Sequence, residues 1–286
     1  MAEIKPTASV KATSVQPKKS SNAISWLAPI VCIIAGYLIW RFIFGNPDGF
    51  EVKGKGMFWP KHDKPKVGNA LAGIYMGGII IPFLIGMFLM VITFSIERYM
   101  TIRKALGNGS ISDFIRKIQY HLANRNVDAA LSECDKQRGS VGNVMKAGLR
   151  RYKEMMNEGG LNTDQKVIAI QKEVEEATAL ELPMLQKNLV FLSTITSVGT
   201  LVALLGTVLG MIRSFSALGH EGGGGAASSQ LAVGISEALY NTALGIGTSA
   251  IALIMYNVFT TKIDSITYGI DESGFTLTQS FASLYK

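Results

Sequence analysis

Glu237 lies inside the apolar stretch 231–259, where an ionisable side chain is costly in hydrocarbon. Such a group faces a bundle interior, a water-filled cavity or the membrane interface. Glu237 sits in the early turns of its stretch, so an interfacial carboxylate and a conduit carboxylate are both consistent with its position. Around it the two last apolar stretches, 189–218 and 231–259, carry many small and hydroxylated residues. On the first, Ser193, Thr196, Thr200, Ala203, Thr207 and Gly210 recur at spacings of three and four, which places them on one helix face. On the second, Ala238, Thr242, Gly245, Ser249, Ala252 and Tyr256 do the same. Small residues let helices approach closely in a membrane, and a Ser or Thr hydroxyl can bond the carbonyl one turn back. That packing role suits the glycines and alanines. Thr207 and Thr242 point to a second role, because two hydroxylated faces in one hairpin can carry a hydrogen-bonded chain of water without a buried charge. At about 100° per residue, Glu237 and Thr242 lie about 140° apart, so one narrow face cannot hold both. They can serve one path only through intervening water or from adjacent subunits.

Other polar residues suggest less chemistry. Arg213 falls near the outer end of its helix and is expected to snorkel, and Glu97 with Arg98 reads as an interfacial pair. His62, His121 and His220 are isolated, and Cys32 and Cys134 have no metal-ligand or redox spacing. No GxxxxGK[ST] pattern occurs, so the residues imply neither nucleotide hydrolysis by that route nor a cofactor.

The elements that position these residues belong to an all-α polytopic membrane protein. The chain is 48% hydrophobic and only 17% charged, which is a membrane composition. Its net charge of +7 does not indicate nucleic-acid binding, because the basic residues lie between apolar runs rather than in one patch. Four stretches have the roughly 20 residues a bilayer crossing needs: 24–44, 70–97, 189–218 and 231–259. Residues 1–23 are rich in Lys, Ser, Thr and Pro without an apolar core, and read as a disordered tail rather than a cleaved leader. Residues 45–69 form an irregular or interfacial loop, 98–188 a helical domain, 219–230 a Gly-rich turn and 260–286 a polar tail. In the helical domain Ile111, Phe114, Ile118 and Leu122 recur at helical spacing. Thr163 is positioned to cap a Glu-rich helix expected to run through Pro183, with a kink, into the third stretch. The Gly-rich turn lacks Lys and Arg, which puts it outside, with the Arg98, Arg103 and Lys104 flank inside. Four crossings then leave both termini, 98–188 and 260–286 in the cytoplasm. Lys53, Lys55, Lys61, Lys64 and Lys66 in the 45–69 loop pull the other way, leaving open a first helix that lies on the surface or re-enters.

The run ALLGTVLGMIRSF (203–215) resembles the GLLGTVxGMxxxF signature of the ExbB, TolQ and MotA family, and ISEALYNTALGI (235–246) with MYN (255–257) resembles its IAEAL, TAxGL and YN pattern. SIERYMTIRKA (95–105), the stretch DAALSECDKQRGSVGNVMKAGLRRYKE (128–154) and the Glu-rich approach to the third stretch also fit, extending the likeness over residues 82–257. The resemblance, closest to ExbB, implies an inner-membrane protein with three core spanning helices and a large cytoplasmic helical domain. It also implies a homo-oligomeric ring, a pentamer in the family, around single-span ExbD-like helices that bring a protonatable Asp. In that setting Thr207 and Thr242 match pore-lining hydroxyls and Glu237 a conduit carboxylate. The implied activity is a proton-channel and stator subunit that drives TonB-dependent outer-membrane transport with ExbD-like and TonB-like partners. TolQ-like envelope maintenance and a gliding or flagellar stator share this chemistry; a solute carrier and a non-conducting scaffold are different classes. Thr200 and Ile251 stand where the family often has Pro, and Ala203 where it has Gly; the span 24–44 is an addition to the three core helices.

Overall fold

The computed structural model describes residues 22–285 except 55, 57, 59, 61, 67 and 221–224. The expected tail 1–23 therefore lies almost wholly outside the described residues, as does the centre of the Gly-rich turn. Helix α1 (Asn22–Ile39) runs into a π-helical turn, Trp40–Phe44. Helix α2 (Ala70–Tyr75) and helix α3 (Ile80–Leu106) follow, then α4 (Ile111–Ala123), α5 (Val127–Gln137), α6 (Gly139–Asn157), α7 (Thr163–Gln186), α8 (Leu189–His220) and α9 (Gly225–Leu284). Four of these stretches are long and apolar enough to cross a membrane: α1 with its π turn, α3, α8 and the first half of α9.

Helix α1 docks on α3 where two glycines cross. A Cβ on Gly36 would sit 2.5 Å from the Gly86 nitrogen, and one on Gly86 would sit 2.9 Å from the Ile33 Cα, so the two backbones touch. The apolar stretch 70–97 is not one helix. It breaks at 76–79, where Gly78 takes φ +74°, and the helix that follows extends to Leu106, where Gly107 at φ +72° stops it.

The described part of the 45–69 loop contains more regular structure than its composition predicts. Strands β1 (Phe50–Val52) and β2 (Asp63–Pro65) pair antiparallel, with Phe50 opposite Pro65 and Val52 opposite Asp63. Aromatic packing explains this order: Trp40 stacks on Tyr75 at 4.4 Å between ring centres, and Phe50 stacks on His62 at 4.7 Å. The Tyr75 hydroxyl donates to the Pro60 carbonyl at 2.5 Å, tying the loop to α2.

Helices α4 to α7 form a bundle whose core is made of large apolar side chains, among them the fully buried Ile118, Leu122, Leu149 and Ile170. Three expectations about this region need correction. The cap of α7 is Asn162, whose side chain accepts from the Gln165 N–H at 2.8 Å in a capping box that Gln165 completes. Thr163 instead donates its hydroxyl to the Tyr285 carbonyl at 2.7 Å. Pro183 does not carry the helix into the third apolar stretch with a kink: α7 ends at Gln186, and Asn188 at φ +65° re-aims the chain before α8 starts. Asn tolerates that left-handed conformation better than most residues. Last, residues 260–285 are not an appended polar tail. Helix α9 continues without a break to Leu284, and Ile263, Ile266, Ile270, Leu277 and Phe281 recur at helical spacing and are buried against the bundle. Phe281 meets Tyr152 edge-on at 4.8 Å.

Candidate functional site

Helices α8 and α9 form an antiparallel hairpin packed through very small residues. In register along it, Gly199 meets Ser249, Ala203 meets Gly245, Gly206 meets Asn241, Gly210 meets Ala238 and Ser214 meets Gly234. A Cβ on Gly199 would lie 2.5 Å from Ser249 Oγ, on Gly206 2.8 Å from Asn241 Cβ, and on Gly210 2.9 Å from Ala238 Cβ. A Cβ on Gly245 would overlap that of Ala203. Backbones this close give van der Waals contact that compensates for the missing hydrophobic drive between helices in lipid. Ser249 is buried, with its hydroxyl 3.5 Å from the Ile195 carbonyl.

The hydroxyls of Thr207 and Thr242 meet across this seam in a hydrogen bond. Each also reaches the carbonyl one turn back on its own helix, Thr207 to Ala203 at 3.2 Å and Thr242 to Ala238 at 3.0 Å. A hydroxyl has one proton and two lone pairs, so the pair can reverse donor and acceptor by rotating about the Cβ–O bond. Thr207 lines a groove of about 640 Å³ with Val208, Met211, Ile212, Phe215 and Ser216. Thr196 and Thr200 lie further along α8, where each hydroxyl bonds the carbonyl four residues back, at 3.0 Å and 3.3 Å. These bonds satisfy the hydroxyls within one helix and leave Thr200 exposed on its surface.

Glu237 lies elsewhere. Its carboxylate, only 15% exposed, is 3.7 Å from the Arg213 guanidinium, and it lines a small cavity behind the hairpin with Gly77, Ile80, Gly206, Arg213 and Asn241. The structure brings Glu237 together with Arg213 and Asn241, and Thr207 together with Thr242, on different sides of the hairpin. The helical geometry that keeps Glu237 and Thr242 off one face holds. Arg213, expected only to snorkel, is the carboxylate's partner. Asn241 was not singled out from the sequence, although an amide inside an apolar span, next to Thr242, was a readable signal.

The Glu97–Arg98 pair has a structural role. Arg98 is 2% exposed, donates from Nε to Glu97 at 2.6 Å, and sends Nη1 to the Met184 and Leu185 carbonyls at 3.3 Å and 3.2 Å. Those carbonyls belong to the last turn of α7, so this guanidinium caps the helix just before Asn188 re-aims the chain. Asn188 donates to Glu97 at 3.2 Å and closes the node. Among the described residues, no group of three His, Cys, Asp or Glu side chains is placed to hold a metal.

The molecule is a helical, multi-pass inner-membrane protein with a hairpin packed through small residues. The family model described as the MotA/TolQ/ExbB proton channel family matches residues 136–272, a little under half of the chain. It is 41% identical over 86 residues to the putative biopolymer transport protein ExbB-like 3 of Synechocystis sp., covering 30% of this chain and 41% of that protein. It is 29% identical over 143 residues to the Tol-Pal system protein TolQ of Pseudomonas aeruginosa, covering 48% and 61%. It is 42% identical over 93 residues to the biopolymer transport protein ExbB of Helicobacter pylori, covering 32% and 62%. The matched stretches thus span less than two thirds of each relative. The relatives include both ExbB-type and TolQ proteins, and the likenesses do not choose between them.

Proposed function

We propose that this protein is the ring-forming subunit of a proton-driven motor, in which several copies, five by family analogy, enclose single-span ExbD-like helices that carry a titratable Asp. In this reading the 45–69 loop and the 219–230 turn face the periplasm, and 98–188 with 260–286 face the cytoplasm. The paired hydroxyls of Thr207 and Thr242 face the enclosed lumen, and Glu237 lies on the proton's route. The meeting of Thr207 and Thr242 in one hairpin carries this reading. A neutral, protonated partner Asp can cross apolar surface and then release its proton where hydroxyls and water can accept it. Proton flow thereby moves the ring relative to its partner, and the work is delivered through a TonB-like protein to outer-membrane transport. The small residues of the hairpin hold the two helices together and leave the hydroxyls available for this role.

The test is proton uptake by liposomes holding the protein with its co-purifying partner, comparing the native chain with Thr207→Ala and Thr207→Val. A drop in flux in both variants, with ring mass unchanged, supports the reading. Equal flux in all three removes the conducting role of that hydroxyl and leaves the hairpin a packing device in a non-conducting scaffold. A TolQ-like role in envelope maintenance is the second reading, favoured by the long match to the Pseudomonas aeruginosa protein. The identity of the co-purified single-span protein decides between the two, and also tests a gliding or flagellar stator.

A further inference from the structure

The cavity behind the hairpin is small and polar in an otherwise apolar setting. It lies between the start of α3, the outer half of α8 and the first turns of α9, with about 10 Å³ of space for the centre of a water molecule, which is room for one. Asn241 enters it from α9 and is 3% exposed. Its amide nitrogen donates to the Gly77 carbonyl at 3.2 Å, which orients the amide, and its carbonyl oxygen Oδ1 is buried without a protein partner. The fit around this amide is close. A Cβ on Gly77 would lie 2.9 Å from Oδ1, and one on Gly206 would lie 3.0 Å from the amide nitrogen. Gly78 gives similar clearance to Arg213, since a Cβ there would lie 3.2 Å from its Nη1. Three glycines, two in the break at 76–79 and one on α8, thus make space for an amide and a guanidinium beside Glu237. The charged groups that line the cavity are Arg213 and Glu237, and α3 contributes none.

A buried amide oxygen without a partner costs roughly 1–3 kcal/mol, and a buried water usually makes about three hydrogen bonds. We propose that this cavity binds a single water molecule that donates to Asn241 Oδ1 and to the Glu237 carboxylate, and that Asn241 is a positioning residue for Glu237. Arg213 holds the carboxylate from the outer, more exposed side, and the water holds it from the inner, buried side. The carboxylate is then fixed on the face of the hairpin away from Thr207 and Thr242, and its proton exchanges through water rather than directly with those hydroxyls. The assignment of Glu237 to proton movement rests on the function proposed above; the water site itself does not.

The experiment is electron cryomicroscopy of the detergent-solubilised assembly at a resolution that shows ordered water, paired with the pH profile of proton flux in liposomes. The native protein is expected to show density within hydrogen-bond reach of Asn241 Oδ1 and Glu237. Asn241→Leu fills the cavity and is expected to remove that density, to lower flux on the order of 10-fold and to shift its pH profile, as slight misplacement of a proton-transfer group suffices for such losses. Asn241→Ser keeps a small polar side chain and is expected to keep the density and much of the flux, which also covers the case in which the leucine variant fails to assemble. Absence of density in the native protein overturns the proposal. Density that vanishes in Asn241→Leu while the pH profile stays put overturns the positioning role. Density with no partner-dependent flux in the native protein leaves the water site standing and removes the proposed function instead.

Discussion

The α8–α9 hairpin and the bundle of α4 to α7 share one long helix, α9, yet they cohere by opposite means. In the bundle α9 buries Ile266, Ile270, Leu277 and Phe281 completely or nearly so, and the core is made of large apolar side chains. In the hairpin the large apolar residues point away: Leu201, Leu204, Leu205 and Ile212 are more than half exposed, while Gly199, Ala203, Gly206 and Gly210 form the contact. Water drives the first arrangement, because burying apolar area is worth about 25 cal/mol per Å² there. In lipid that term disappears, and close backbone contact takes its place. The contrast explains why the hairpin has room for buried polar groups. Where packing needs no large side chain, the remaining positions can carry hydroxyls, an amide and a carboxylate.

The largest effect on assembly should come from enlarging the hairpin's closest contact. Gly245→Leu would place a side chain where Ala203 already sits, and overpacking of this kind costs about 1–3 kcal/mol or more. We expect loss of the proposed ring by native mass measurement, and partial recovery when the smaller Gly245→Ala is combined with Ala203→Gly, which returns the missing methyl space. Assembly unaffected by Gly245→Leu would mean that the hairpin is not held by this contact. In the bundle the damaging direction is reversed. Leu149→Ala leaves a cavity at a fully buried site and should cost about 2–5 kcal/mol, read as a lower unfolding midpoint of the bundle with hairpin assembly retained. A smaller effect should appear only at high pH. Burial pushes the Cys134 thiol from 9.0 up to about 12, and the Tyr152 hydroxyl from 10.0 up to about 12. Both groups are held neutral by folding, so their contribution is intact below pH 9 and is lost as pH rises toward 12. Alkaline unfolding of the bundle should therefore begin above pH 9, and Tyr152→Phe should flatten the upper part of the transition. An unfolding midpoint that is level from pH 9 to pH 12 would refute this.

Much of this was legible in the sequence because helical period and hydrophobicity are local properties. The four apolar stretches, the small-residue faces of 189–218 and 231–259, and the angular separation of Glu237 from Thr242 all follow from residue spacing. The Ile111, Phe114, Ile118 and Leu122 series gave α4 for the same reason. Residues 260–285 were harder. Their apolar positions are diluted by Thr, Ser, Asp and Glu, and only the neighbouring bundle reveals that one face is covered.

The chain alone determined that this is a helical membrane protein with a close-packed hairpin, because composition and period need no knowledge of neighbours. Which side chains meet was decided only in three dimensions. A helix face can be computed from spacing, but its partner depends on how α3, α8 and α9 are placed around each other. That placement set Thr207 against Thr242, Arg213 against Glu237, and the amide of Asn241 against the backbone of Gly77.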